Sequence, residues 1–224
     1  MAIGNRQIGW SQEENLLWEI SKQLDKMNAI LCTGPCPTTT TTTTPPPTQL
    51  RMLFTDISSI VNDATNINDW NDFFQLPVYG NPFTSLTIIG NEIFLFGGSN
   101  ITLRDNLFNS NDYILEIEDV TSNVVIDTIG KTFSSATLLT TVILPAVLTI
   151  NSGCFDTCFS LIILNISSCA NLGPTVGNDI VFQYIAGNTI TLTVPLALTT
   201  CNSGSFDGDI QYLQANNTVT IITV

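Results

Sequence analysis

"IDTIGKTFSSATLLTTVILPAVLTINSGCFDTCFSLIILNISSCANLG", residues 126–173, holds the pattern on which the fold turns. Phe133 is followed by Leu139 at +6 and Val142 at +9, and Phe155 by Leu161 and Leu164 at the same offsets. Upstream, Phe108 is followed by Ile114 and Ile117 in the same way. Seven residues before the three phenylalanines stand Ile101, Ile126 and Leu148. The phenylalanines lie 25 and 22 residues apart, with Phe83 another 25 upstream. Phe206 follows Phe155 by 51, about two periods, and the period between them reads as degenerate. "TVP" at 193–195 echoes "ILP" at 143–145. A period of this size with one strand per repeat predicts a mainly β solenoid, in which each Phe and its Leu/Ile ladder are buried against neighbouring repeats.

Outward from that stretch, residues 50–224 keep the same texture. Short β-prone segments such as "SLTIIG", "LIILNIS", "TITLTVP" and "TVTIITV" are separated by Gly, Asn and Ser. A solenoid needs its ends covered. Residues 50–82, with "INDWNDFFQLP", are assigned to an N-terminal cap, a short helix or irregular segment in which Trp70, Phe73 and Phe74 plug the first repeat. The rival reading makes those aromatics an exposed binding patch. "NTVTIITV" at 217–224 is assigned to closing the last sheet edge.

Composition bounds the function. The 224 residues include 6 Lys+Arg against 19 Asp+Glu, a net charge of −13. Phosphate contacts need clustered Lys and Arg, so nucleic-acid binding is disfavoured, as is docking on an anionic membrane. No apolar run approaches the roughly 20 residues of a spanning helix, so no membrane insertion is expected. No signal peptide is legible, which points to synthesis in a cytoplasm and reduced thiols. The chain has no histidine. That removes the usual general base, the Ser-His and Cys-His nucleophile pairs and the commonest zinc ligand. Carboxylate-pair glycosidase chemistry needs none, but the sequence singles out no such pair.

Before the β region come two different segments. Residues 9–31, "GWSQEENLLWEISKQLDKMNAIL", carry helix signals: Ser11 and Glu14 form a capping box, and Glu13 and Glu14 suit the positive end of the helix dipole. Leu17, Ile20, Leu24, Met27 and Leu31 recur at spacings of 3 and 4, an a/d stripe lasting about two heptads. A lone helix of this length is marginal in water, so it needs a partner, either copies of itself or another protein. Trp10, Leu16 and Trp18 lie off the stripe and widen the apolar surface toward some other partner. Residues 32–48, "CTGPCPTTTTTTTPPPT", cannot build a core. They read as an extended spacer able to reach on the order of 40–50 Å, or as an ordinary flexible linker.

Few residues suggest chemistry. Cys154, Cys158 and Cys169 fall at core positions of the period, where a free thiol acts as a small hydrophobe. Metal binding and disulfide formation are the weaker readings, and Cys32 and Cys36 offer a cross-link between copies in an oxidising setting. "FDGD", with Asp207 and Asp209, lacks the remaining ligands of a calcium loop and reads as a turn. "LFGGSN" has no following Lys and is no phosphate loop. No catalytic residue, metal or cofactor is expected.

Two resemblances sharpen this reading. The stretches 126–145 and 141–173 resemble the BspA-like class of leucine-rich repeats, in which "aF..C.sL..i.lP" alternates with a turn and an Ile. The likeness is good over about 120–172 and weaker over 83–119 and 195–224. It implies a leucine-rich-repeat-like solenoid used for surface binding. The string at 9–24 resembles an N-terminal module of structural proteins of tailed, notably crAss-like, bacteriophages. Gly9 to Glu13, Asn15 to Ile20 and Lys22 to Leu24 carry the match. That resemblance implies a virion protein whose first segment attaches to the particle or oligomerises.

The sequence thus divides into an anchoring and oligomerisation helix at 1–31, an extended Thr/Pro linker at 32–49 and a repeat domain at 50–224. The expected role is non-enzymatic: a head fibre or decoration on the virion exterior. Trp10, Leu16 and Trp18 would touch phage capsid or tail proteins. Leu17, Ile20, Leu24, Met27 and Leu31 would join copies, with a trimer favoured over a dimer. The repeat domain would meet a host cell-surface glycan or protein. The alternatives are a tail fibre or receptor-binding protein and, from another class, a bacterial leucine-rich-repeat binding protein.

Overall fold

The computed structural model describes residues 48–74, 83–97, 103, 106–121, 128–173, 181–204 and 206–224. The predicted helix at 9–31, with all of its anchoring and oligomerisation residues, and the spacer up to Pro47 lie outside the described residues, as do Ile101 and Ile126. What is described is mainly β.

The strands at the heart of the fold are short and parallel. They are β4 (Ile114–Asp119), β6 (Thr141–Ile143), β8 (Ile163–Asn165), β10 (Thr189–Val194) and β11 (Thr218–Thr223). They lie side by side in that order. Ile117 pairs with Val142, Val142 with Leu164, Leu164 with Leu192, and Leu192 with Ile221. The first four of these side chains are fully buried, so one large apolar residue per strand forms a continuous row. Parallel strands need a crossover, and here the chain returns through a second, three-stranded sheet. It consists of β5 (Thr128–Ile129), β7 (Thr149–Ile150) and β9 (Asn171–Leu172), again parallel. Ile129, Ile150 and Leu172 point into the same core from that side.

Between the two sheets runs a stack of rings. Phe108, Phe133, Phe155 and Phe182 follow one another with centroids 5.6, 5.5 and 5.6 Å apart and planes within 3°, 3° and 8° of parallel. All four are fully buried. Their main chain locks the stack. Phe108 N–H donates to Thr132 O, Phe133 N–H to Cys154 O, and Phe155 N–H to Val181 O. Two residues beyond each Phe the backbone turns left-handed, at Ser110, Ser135, Thr157 and Tyr184, with φ between 57° and 64°. L-residues pay for this conformation, roughly 1–2 kcal/mol each. Hydrogen bonds across the turns offset the cost: Ser110 N–H donates to Ser134 O, Ser135 N–H to Asp156 O, and Thr157 N–H to Gln183 O.

Phe182 corrects the sequence reading, which took that period as degenerate. It lies 27 residues after Phe155, yet Leu192 rather than the residue at +9 joins the core row. One additional residue sits in the turn before β10. There Asn188 Nδ2 donates to Phe159 O and Leu161 O and holds the enlarged turn to its neighbour. Phe83 is the second correction. It belongs to no stack but lies on an antiparallel strand, β2 (Phe83–Ile89), against Phe74 with ring centroids 5.2 Å apart. Phe206 is only partly buried and precedes a helix. Leu148, matched by sequence to the core, is 42% exposed, because its neighbours Val147 and Ile150 take the buried positions.

At one end, β1 (Thr48–Phe54) pairs antiparallel with both β4 and β3 (Glu92–Gly97), and β2 forms the outer edge. β1 starts two residues inside the stretch read as linker. Helix α1 (Ile67–Phe73) is capped by Asn66, whose side chain accepts from Asn68 N–H. It buries Trp70, whose Nε1 donates to Ala64 O. Phe54, Phe73 and Phe74 stand 6.5, 5.6 and 6.5 Å from Phe108 and cover that end of the ring stack. At the other end, helix α2 (Gly208–Asn216) packs Ile210 and Leu213 into the core before β11. "FDGD" is therefore a helix start and not a free turn. Asp207 accepts from Asp209 N–H, and Asp209 Oδ1 accepts from Val181 N–H across 28 residues.

Candidate functional site

Strand alternation sends every second side chain of the large sheet outward. The registers place Glu116, Thr141, Ile163, Thr191 and Thr220 in one outward row. Glu118, Ile143, Asn165, Thr193 and Ile222 form the next. None of these ten is buried. Glu92, Phe94 and Phe96 on β3 and Arg51 and Leu53 on β1 extend the face to the antiparallel end. It is a broad face of hydroxyls, one amide and scattered apolar groups.

Charge on this face is confined to one region. Arg51 donates through Nε to Glu92, and through Nη1 to Glu116 at 2.8 Å and Glu118 at 3.3 Å. Three carboxylates around one guanidinium leave the cluster net negative. Partial burial works against the Arg51 charge, but the hydrogen bonds it donates to Glu116 and Glu92, with the attraction of those carboxylates, outweigh it and hold the guanidinium above its usual pKa. From β6 to β11 the outward rows carry no ionisable group. That part can offer only hydroxyl and amide hydrogen bonds with methyl contacts.

An open depression of about 510 Å³ lies between the Ile57–Ser59 turn and α1, lined by Ser58, Ser59, Asn62, Asp69, Asp72 and Phe73. Of its two carboxylates, Asp69 serves local structure, accepting from Asp63 N–H and Asn66 Nδ2. Among the described residues no group of three or more His, Cys, Asp or Glu is placed to hold a metal ion. No described helix is long and apolar enough to cross a membrane.

Cys154, Cys158 and Cys169 are buried free thiols, and Cys201 is exposed and also free. Cys158 Sγ lies 3.1 Å from Phe133 O and Cys169 Sγ 3.2 Å from Asn171 O, each as donor. Burial pushes both thiols up to about 12 and Cys154 well above its ordinary value. Thiols held this firmly protonated are poor nucleophiles and poor ligands.

The sequence-predicted site residues Trp10, Leu16, Trp18, Leu17, Ile20, Leu24, Met27 and Leu31 lie outside the described residues, as do Cys32 and Cys36. The outward rows were not singled out from sequence. Their signal is the alternation of Thr with apolar residues in "TITLTV" and "TVTIIT". No protein-family model, curated protein or solved structure matches the chain.

Proposed function

We propose that this chain is a structural bacteriophage virion protein, a head fibre or decoration that displays a leucine-rich-repeat-like solenoid from the particle exterior. The observation that carries the reading is the string "GWSQEENLLWEISKQL" at 9–24, which resembles the N-terminal module of tailed-phage structural proteins. In this reading Trp10, Leu16 and Trp18 seat the chain on the particle, and the stripe from Leu17 to Leu31 joins copies into an oligomer, a trimer by preference. The Thr/Pro run holds the β domain away from the surface. Parallel strands in register and the stacked phenylalanines support the solenoid class. The Thr/Asn/Ile sheet face is the surface offered to a host glycan or protein.

Display makes a modest surface effective, because contacts that are weak singly become strong when many copies are tethered on one particle. The experiment deletes residues 1–31 and measures incorporation into purified particles. Loss of the protein from particles is the expected result, and incorporation at normal copy number refutes the anchor. Antibody labelling of imaged particles places the protein on head or tail. Label at the tail replaces the head-fibre reading with a tail fibre or receptor-binding protein. Label on no particle leaves a bacterial leucine-rich-repeat binding protein.

A further inference from the structure

The large sheet ends at β11, and among the described residues no strand lies on its outer side. Its main-chain groups divide by parity. Thr218 N–H donates to Asn188 O, Val224 N–H donates to Val194 O, and Leu196 N–H donates to Val224 O. Parallel pairing repeats every second residue, so the even-numbered residues spend their N–H and C=O groups on β10. Val219, Ile221 and Thr223 direct theirs outward. A row of alternating donors and acceptors on an extended chain is complementary to another β-strand.

Nothing in this strand opposes such pairing. "TVTIIT" is wholly β-branched and has no charge, Pro or bulge, the devices that usually protect an edge. Ile222 is 46% exposed and Val224 65%. The charge pattern selects the occupant. From Asn188 to Val224 there is no Lys or Arg, and the only carboxylate side chains are those of Asp207 and Asp209, both buried. Two molecules of net charge −13 repel over most approaches, but this end brings uncharged surface to uncharged surface. The opposite edge strand, β2, is also uncharged, but its pairing is irregular between Phe83 and Ser85, a break in the ladder that β11 lacks.

We infer that β11 is a homodimerisation edge: two copies pair their β11 strands antiparallel about a two-fold axis at Ile221, joining their sheets into one. In this register Ile221 faces Ile221 of the second copy, and Val219 faces Thr223, with about six main-chain hydrogen bonds across the axis. Thr220 faces Ile222 at the closer, non-hydrogen-bonded positions. The contact is isologous and therefore closes at two copies. It is separate from the helix stripe at 17–31 and does not depend on it.

The test is amide hydrogen exchange of the full chain at single-residue resolution, in dilute and concentrated solution. The amides of Val219, Ile221 and Thr223 are expected to slow by about tenfold or more on concentration, while those of Thr220 and Ile222 are slow throughout. In T220K/I222K, lysines face lysines across the axis. The concentration-dependent slowing is expected to disappear there, with amides 220 and 222 still protected as evidence of an intact fold. In L17K/L24K, which breaks the helix stripe, the slowing is expected to persist, so failure of the helix reading is distinguishable. Odd-numbered amides that exchange freely at every concentration overturn the inference. So does protection independent of concentration, which would mean a segment of the same chain covers the edge. Protection accompanied by growth of L17K/L24K beyond a pair would mean β11 on β2, head to tail, and overturns it as well.

Discussion

Replacing Phe155 with Ala tests the ring stack at its most enclosed point. Phe155 lies between Phe133 at 5.5 Å and Phe182 at 5.6 Å and is fully buried. Truncating a buried Phe to Ala typically costs about 3–5 kcal/mol, from lost transfer energy and the cavity left behind. Two parallel ring contacts add about 0.5–1.5 kcal/mol each beyond area burial. The site should stand at the upper end, about 4–5 kcal/mol, because both adjacent rings are held by main-chain bonds and cannot close over the gap. F155L keeps most of the volume and loses the stacking, so about 1–3 kcal/mol is expected. Urea unfolding at equilibrium gives both values, and F206A supplies a reference from a partly buried ring outside the stack. A double-mutant cycle with F133L isolates the ring–ring coupling, expected at about 0.5–1.5 kcal/mol. An F155A cost no larger than that of F206A, or a coupling indistinguishable from zero, would refute the claim that the stack organises the core.

The buried thiols predict alkaline instability. Burial pushes the Cys158 and Cys169 thiols up to about 12 in the folded chain, from an ordinary 9.0, so their stabilising contribution is complete below pH 9 and is lost as pH rises toward 12. By pH ~10.5 about 2 kcal/mol per thiol should be gone, and C158A should show a shallower alkaline slope in urea unfolding than the native chain. R51M leaves Glu92, Glu116 and Glu118 facing one another without their cation. A loss of about 1–2 kcal/mol is expected in urea unfolding at pH 7, shrinking as salt screens the repulsion, and an R51M deficit that does not vary with ionic strength would count against the cluster. Tyr184 is 61% exposed with φ at 64°. Y184G should therefore stabilise the fold, by about 1 kcal/mol in thermal or urea unfolding, where an ordinary exposed residue changed to Gly would weaken it.

Several features of the core follow from the amino-acid order alone, and the reason is geometric. Each pass of the chain can place one ring between the sheets and one large aliphatic residue on the strand. Phe108, Phe133 and Phe155 therefore share the offsets that bury Ile117, Val142 and Leu164. Phe182 escaped the pattern because strand register and sequence spacing are set by different things. Register is fixed by the pairing of Leu164 with Leu192, while the turn before it can hold an additional residue once Asn188 bonds the turn in place. Helix α2 was hidden for another reason. "GDIQYLQAN" has little amphipathic contrast, and its start depends on Asp207 and on the distant bond from Asp209 to Val181 N–H. β1 was hidden by the run of Thr and Pro before it, although Leu50, Met52 and Phe54 alternate inward as a strand requires. The outward face was least legible. A row such as Thr191 and Thr220 has no charge or motif, and only the pairing register shows that its members stand together.

The distribution of charge connects this face to the proposed display. Long-range attraction is unavailable to the uncharged rows from β6 to β11, so capture there rests on short-range contacts. A neutral hydrogen bond contributes only about 0.5–1.5 kcal/mol net, and an exposed methyl contact less. A few such contacts give a single domain a fast off-rate. In the proposed reading, copies joined through residues 17–31 and a Thr/Pro spacer would turn each later contact into an intramolecular event. On that proposal the surface composition and the N-terminal segments serve one requirement. Shortening the Thr/Pro run should weaken adsorption of particles while leaving the affinity of an isolated chain for the same surface unchanged. An equal loss in both would mean that the spacer segment itself makes the contact.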